Sequence, residues 1–249
     1  KRRAARGRDR GQGRGPRRYK VTTDSDHGLP VAQNVLGRDF VAHAPNQRWV
    51  GDVTELRIPQ GRLFLAVILD LFSRAVVGWA LSTVNDRRLA QRALEEAVRR
   101  RAPPPGLLHH TDQGSPYASE DYQKALHRLG FRCSMSRRGN CYDNAPMESF
   151  FNTLKSELAE NFESPAAAQR ELFDYIEVFY NGQRLHSSLG YLSPREFEKR
   201  ARATRSVENP QQSAGIHKLP VSPLDPPRVS LLAAFLNPKH LDTTLRLQT

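Results

Sequence analysis

Three acidic residues stand where carboxylates could do chemistry. Asp52 lies in NQRWVGDVTEL, Asp112 ends LLHHTD, and Glu148 sits near the start of PMESFFNTLKSEL, with 35 residues between Asp112 and Glu148. An acid inside an apolar strand is costly to bury unless a partner or a metal ion compensates it. Asp112 closes a short apolar run beside Gln113-Gly114-Ser115, and the carboxyl end of a strand opens onto the crevice where α/β sheets place ligands. Three carboxylates converging from three separate elements can hold two divalent cations. Such a pair polarises a phosphodiester and activates its nucleophile. Hard oxygen donors select Mg2+, with Mn2+ as a substitute.

Other polar residues nearby have plainer readings. Asp70 interrupts an apolar strand just before Phe72-Ser73-Arg74 and reads as the ion-pair partner of an arginine such as Arg74. His109 and His110 adjoin Asp112, but alternation puts only His110 on its face, and both read as strand packing. Cys133 and Cys141 lack the companions of a zinc site. Two cysteines without a framework favour a reducing compartment.

The elements that must position these acids follow from the apolar pattern. Gln47 to Ile58 reads as a strand, and Pro59-Gln60-Gly61 as a turn. Leu63 to Phe72 is almost continuously apolar, as a strand buried on both faces would be, and Ala75 to Leu81 forms a third strand. Three strands in close succession suggest an antiparallel meander. A helix follows from an Asp86 N-cap to about Arg101. Leu107 to Thr111 and Phe131 to Met135 read as short strands flanking a helix from Tyr117 to Leu129, with a loop from Ser136 to Ala145. Helices over Pro146 to Asn161 and Ala166 to Tyr180 come next, then a short one after Pro194. The predicted architecture is α/β, a mixed five-stranded sheet flanked by helices.

The helix carrying Glu148 divides into two stripes. At about 100° per residue, with Glu148 at ~0°, Asn152 lies near ~40° and Lys155 near about −20°. Met147, Phe150, Phe151, Leu154 and Leu158 cluster between roughly 200° and 300°. Glu148, Asn152 and Lys155 therefore share a polar stripe beside the stripe that packs on the sheet. Lys155 is placed to meet a phosphate.

Net charge is +12 over 249 residues. Lys1 to Lys20 carries ten Lys/Arg against Asp9 alone, and Ala201 to Thr249 carries six basic residues against three acidic. The middle is therefore balanced, and the basic arm suits phosphate neutralisation, with Arg2, Arg3, Arg17 and Arg18 as DNA contacts. Residues 1–44 read as a basic arm and linker, 45–200 as the catalytic core, and 201–249 as an irregular tail with a short helix at Val229 to Leu236. No apolar run approaches the ~18 residues of a membrane span, and no apolar region follows the arm as in a secretory signal. A cytoplasmic, nucleoid-associated protein is the expectation.

The stretches NQRWVGDVTEL, LAVILDLFSRAVVGWAL, LLHHTDQGSPYAS, SRRGNCYDNAPMESFFNTLKSEL and YNGQRLHSSLGYLSPREFE run from about Asn46 to Glu198, a span of about three fifths of the chain. In them the sequence resembles the catalytic half of bacterial insertion-sequence transposases whose two reading frames are joined by frameshifting. That group belongs to the retroviral-integrase-like superfamily. The resemblance implies a ribonuclease-H-like fold with the first and fourth strands adjacent, and Asp52, Asp112 and Glu148 as ligands of two Mg2+ ions. It implies strand cleavage and strand transfer on DNA, a homo-oligomeric active complex, and a helix-turn-helix partner from the upstream frame. Asn144, Arg137, Arg138 and Tyr142 would border the substrate, while Arg184 and His186 of the YNxxRxH stretch have no assigned role. Two readings stay open beside it: a nuclease or junction resolvase of the same fold without strand transfer, and an inactive DNA-binding remnant.

Overall fold

The computed structural model describes residues 27–158 and 162–208. Its sheet has five strands: β1 Arg48–Ile58, β2 Gly61–Asp70, β3 Val76–Ser82, β4 Leu108–Thr111 and β5 Arg132–Met135. Their spatial order is β3-β2-β1-β4-β5. The first three form the expected antiparallel meander. β4 then joins β1 in parallel, and β5 joins β4 in parallel. This is the mixed sheet of the ribonuclease-H-like fold.

Alternation along the strands builds a core on each face. Leu63, Leu65, Val67 and Leu69 of β2 face one side with Val50 and Leu56 of β1 and Leu108 of β4. Ala66 and Ile68 face the other with Trp49. The first face is covered by α4 (Ala145–Glu157) and α5 (Pro165–Phe173), the second by α1 (Arg87–Arg101), α2 (Ser115–Ala118) and α3 (Glu120–Arg128). Met147, Phe150, Phe151 and Leu154 of α4 are buried, as the helical stripe requires. Each such side chain stabilises the docking by about 1.5–3 kcal/mol.

α1 starts at Asp86, whose carboxylate accepts from the Leu89 N–H at 3.1 Å. It lies so close to β3 that a Cβ on Gly78 would stand 2.3 Å from the carbonyl oxygen of Ala93 and 2.7 Å from Cβ of Ala97. Only a residue without a side chain allows that approach.

Several elements differ from expectation. The helix expected over Tyr117 to Leu129 is two, broken at an extended Ser119 whose hydroxyl donates back to the Pro116 carbonyl at 2.7 Å. α5 is capped by Ser164 and passes into a π-helical turn over Asp174–Tyr180. Asn181 follows, and its carboxamide bonds both the N–H and the carbonyl of Val76 at 2.9 Å. It thereby covers the edge of β3 as another strand would. α4 ends at Glu157 rather than at Asn161, with Leu158 already extended.

Asp70 is fully buried, and its arginine is Arg101, not Arg74. It also accepts from the Asn46 and Phe72 N–H groups at 2.8 and 2.9 Å, while Arg101 bridges on to Glu198 at 2.7 Å. Arg74 instead takes a left-handed backbone (φ 60°) and donates its N–H to the Asp70 carbonyl at 2.8 Å. The tight turn uses its backbone and leaves its side chain beside Tyr180.

Residues before β1 also pack on the core. Leu36 is buried, and the N–H groups of Val35 and Leu36 donate to the Ser134 hydroxyl. The final helix, α6 (Pro194–Glu208), runs past Arg200. Arg2, Arg3, Arg17, Arg18 and the Val229 to Leu236 segment lie outside the described residues. Among the described residues no helix is long and apolar enough to cross a membrane.

Candidate active site

β1 and β4 are paired through Val50 opposite His110. Asp52 and Asp112 each stand two residues beyond that pair, on strands about 4.8 Å apart. Val50 and Leu108 point into the core beneath α4, so alternation turns Asp52 and Asp112 to that same face. Asn144, at the start of α4, donates its Nδ2 to the Gly51 carbonyl at 3.3 Å and anchors the helix beside Asp52. Glu148 follows one turn later and is half-buried.

The three acids share one electrostatic field. The Asp52 carboxyl is held well above the usual carboxylate range, first by burial, then by the charge of Asp112, with a further push from Glu148. The Val53 N–H, bonded to Asp52 Oδ1 at 2.7 Å, opposes this. Tyr117 lies buried beneath them. Burial raises its hydroxyl first, Tyr122 next, and the charges of Asp52 and Asp112 raise it further. Among the described residues no three His, Cys, Asp or Glu side chains form a ready cage for a metal ion. Asp112 and Glu148 thus both oppose ionisation of Asp52, in an open arrangement. A divalent cation is the group that would reverse the repulsion on Asp52, and three hard oxygen donors fit it.

The two histidines beside Asp112 are structural. His109 Nε2 meets the Tyr122 hydroxyl at 2.8 Å, and His110 spans the hydroxyls of Ser134 and Ser136 at 2.8 and 3.1 Å. Burial lowers both, His109 to about 3 and His110 to about 4, so both are neutral at pH 7.

The loop before α4 is held by Asp143, a residue that no local pattern singles out. Asp143 is fully buried. It accepts from the Arg137 backbone N–H at 3.0 Å, from Arg137 Nε and Nη2 at 2.9 Å, from Arg38 Nε at 2.7 Å and from Asn34 Nδ2 at 2.9 Å. These donors hold its carboxyl far below the usual range. Arg137 is therefore first a structural partner of Asp143. Tyr142 is exposed beneath the Arg38 guanidinium, 5.8 Å from its ring centre, and Arg138 is exposed on the same loop. The one signal in the sequence was an acid within the basic run SRRGNCYDN. Its partners Asn34 and Arg38 are more than 100 residues away, in a segment without pattern.

Lys155 donates its Nζ to the Glu55 carbonyl at 3.0 Å, which fastens the polar stripe of α4 to β1. Asn152 is exposed on that stripe. Arg184 pairs with Glu157 at 2.8 Å, and the His186 ring packs edge-on against Tyr180 at 5.0 Å. The YNxxRxH stretch thus binds the end of α4 and the edge of β3.

Two family models, each described as an integrase core domain, match residues 42–141 and 129–194. The transposase for insertion sequence element IS904 of Lactococcus lactis is 46% identical over 185 residues, covering 73% of this chain and 73% of that protein. The chain belongs to the insertion-sequence transposases of the integrase core family. Transposase InsF for insertion sequence IS3A of Escherichia coli K12 is 47% identical over 186 residues, covering 74% of this transposase chain. The chain spans 65% of the length of that relative. A cryoEM structure of a simian T-cell lymphotropic virus intasome in complex with PP2A regulatory subunit B56 gamma shares the fold. Its TM-score is 0.53 at 18% identity, covering 82% of this chain and 64% of that one. The enzyme class of such a transposase is that of the polynucleotidyl transferases.

Proposed function

We propose that this chain cuts and rejoins DNA at the ends of an insertion sequence, with Asp52, Asp112 and Glu148 as its catalytic carboxylates. The observation that carries the reading is the parallel pairing of β1 with β4, which puts Asp52 and Asp112 side by side on the face that α4 covers, with Asn144 tying the start of α4 to Gly51; the raised Asp52 carboxyl agrees with it. Clusters of like charge in a crevice are where folds store binding capacity for cations. Divalent cations, Mg2+ in the first place and two in number, supply Lewis-acid activation of the attacking oxygen when bound. Asp52 and Asp112 approach from adjacent strands, and Glu148 closes the third side from α4. Arg138 and Tyr142 on the preceding loop, and Asn152 and Lys155 along the helix, face the DNA, with Arg137 and Asn144 holding the loop. The basic arm, including Arg2, Arg3, Arg17 and Arg18, neutralises flanking phosphates.

In cleavage, water displaces one side of a phosphodiester and frees a 3′-hydroxyl. In joining, that hydroxyl attacks a second phosphodiester and displaces its 3′ oxygen. Each step exchanges one P–O bond for another. No covalent bond to the protein forms, so no serine or tyrosine nucleophile is required. We assign recognition of the element ends to a separate helix-turn-helix unit, and the working complex to a homo-oligomer acting on nucleoid DNA in the bacterial cytoplasm.

The test is a strand-transfer assay with element-end oligonucleotides and Mg2+. Wild type should cleave and join, while Asp112→Asn should bind DNA and do neither. Cleavage without joining would favour a nuclease, and full activity in Asp112→Asn would overturn the site.

A further inference from the structure

Asn144 is 4% exposed, and its Oδ1 is buried without a hydrogen-bond partner among the described residues. The other end of the same carboxamide is committed, since Nδ2 donates to the carbonyl of Gly51, the residue before Asp52. Exchanging the two ends would set a carbonyl against a carbonyl, so the hydrogen bond fixes which atom is left over. Asn144 also occupies the N-cap position of α4 and makes no capping bond. Its side chain has thus given up the usual task of an asparagine at a helix start. A buried acceptor with no donor is costly and rare in a native fold. This one lies one helical turn before Glu148 and next to Asp52, where a hydrated cation would bring water protons.

We propose that Asn144 is a positioning residue with two tasks: Nδ2 fastens the start of α4 to β1, and Oδ1 accepts from a water in the hydration shell of the bound cation. The proposal rests on the reading of Asp52, Asp112 and Glu148 as ion ligands. Mg2+ and Mn2+ keep several waters when bound by few carboxylates, so an outer acceptor has a donor to meet. Groups of this outer kind set ligand orientation and typically carry roughly 10–100-fold in metal affinity. The neighbouring Asp143 has all its capacity spent on Arg137, Arg38 and Asn34 and cannot take this task.

Mn2+ titration of the full chain, following the electron paramagnetic resonance of the free ion, tests this without any turnover. Asn144→Ala should weaken Mn2+ binding by roughly 10–100-fold. Asn144→Asp keeps an acceptor but loses the amide donor. It should bind Mn2+ at least as tightly as wild type while melting lower in chelator, and it carries the test alone if Asn144→Ala does not fold. Wild-type affinity in Asn144→Ala, or weaker binding in Asn144→Asp, would overturn the proposal and leave the carboxylate reading standing. A wild-type chain that binds no Mn2+ would overturn both.

Discussion

Asp52 gives the sharpest quantitative consequence of the structure. With chelator present, it is a carboxylate whose ionisation is opposed first by burial, then by the charge of Asp112, with a further push from Glu148. Asp52→Asn removes the charge and keeps the acceptor that takes the Val53 N–H at 2.7 Å. Two unit charges on neighbouring strands, about 6 Å apart, repel by about 3 kcal/mol at an effective dielectric of ~20. The group is only half-buried, so solvent screening reduces the relief to roughly 1–2 kcal/mol. For a domain of this size that is a rise of about 2–8 °C in melting temperature. The sign with pH follows from the raised carboxyl. Wild-type Asp52 takes up its proton at a higher pH when folded than when unfolded, so acid relieves the same repulsion. The gap between variant and wild type should therefore be widest near pH 7.5 and shrink towards pH 5. Thermal melts in chelator would measure it, and repeating them with Mg2+ should raise wild type and leave Asp52→Asn in place. A variant that melts lower than wild type in chelator at pH 7.5 would show that the acids do not repel one another in the folded chain.

Other expectations are separable. Asp143→Ala strands five donor groups on Arg137, Arg38 and Asn34 and should cost about 2–4 kcal/mol, discounted for exposed guanidinium groups. Urea denaturation measures this, and a loss under 0.5 kcal/mol on the order of ordinary surface changes would refute the loop anchor. His109 and His110, lowered to about 3 and about 4, stay neutral when folded, whereas the unfolded chain protonates both near 6.5. Stability should fall as pH drops below about 6.5, by roughly 1–2 kcal/mol per histidine at pH ~5. The urea midpoint in the Asp52→Asn background isolates this from the opposing carboxyl, and a flat profile would refute it. Gly78→Ala drives a methyl group to within 2.3 Å of the Ala93 carbonyl. It should destabilise by about 1–3 kcal/mol or more, and a wild-type melting point would mean that α1 shifts freely on β3. Deleting Lys1 to Lys20 should flatten the dependence of log K for DNA on log salt by about 0.9 per phosphate neutralised, and an unchanged slope would remove the arm from binding.

Much of this protein is legible in its chain because periodicity is a local property. The two-sided burial of β2, the split of the Glu148 helix into polar and apolar stripes, and the Asp86 cap each depend on residues within a few turns. The three acids and the 35-residue spacing are likewise visible in the chain. Their adjacency was only implied by the resemblance, because pairing β1 with β4 bridges a separation that no local pattern spans.

The tertiary structure alone decided which partner each polar group takes. Asp70 found Arg101 rather than the nearby Arg74, because the left-handed turn at Arg74 uses its backbone and directs its side chain away. Asp143 drew donors from Arg38 and Asn34 as well as from nearby Arg137, and Asn144 was left with one end bonded and the other without a partner among the described residues. Local preferences determine which segments form strands and helices, since their free energies depend on neighbours in sequence. Partnerships of buried charges depend on where the packed sheet brings distant groups together, and that is settled only when both faces of the core have closed.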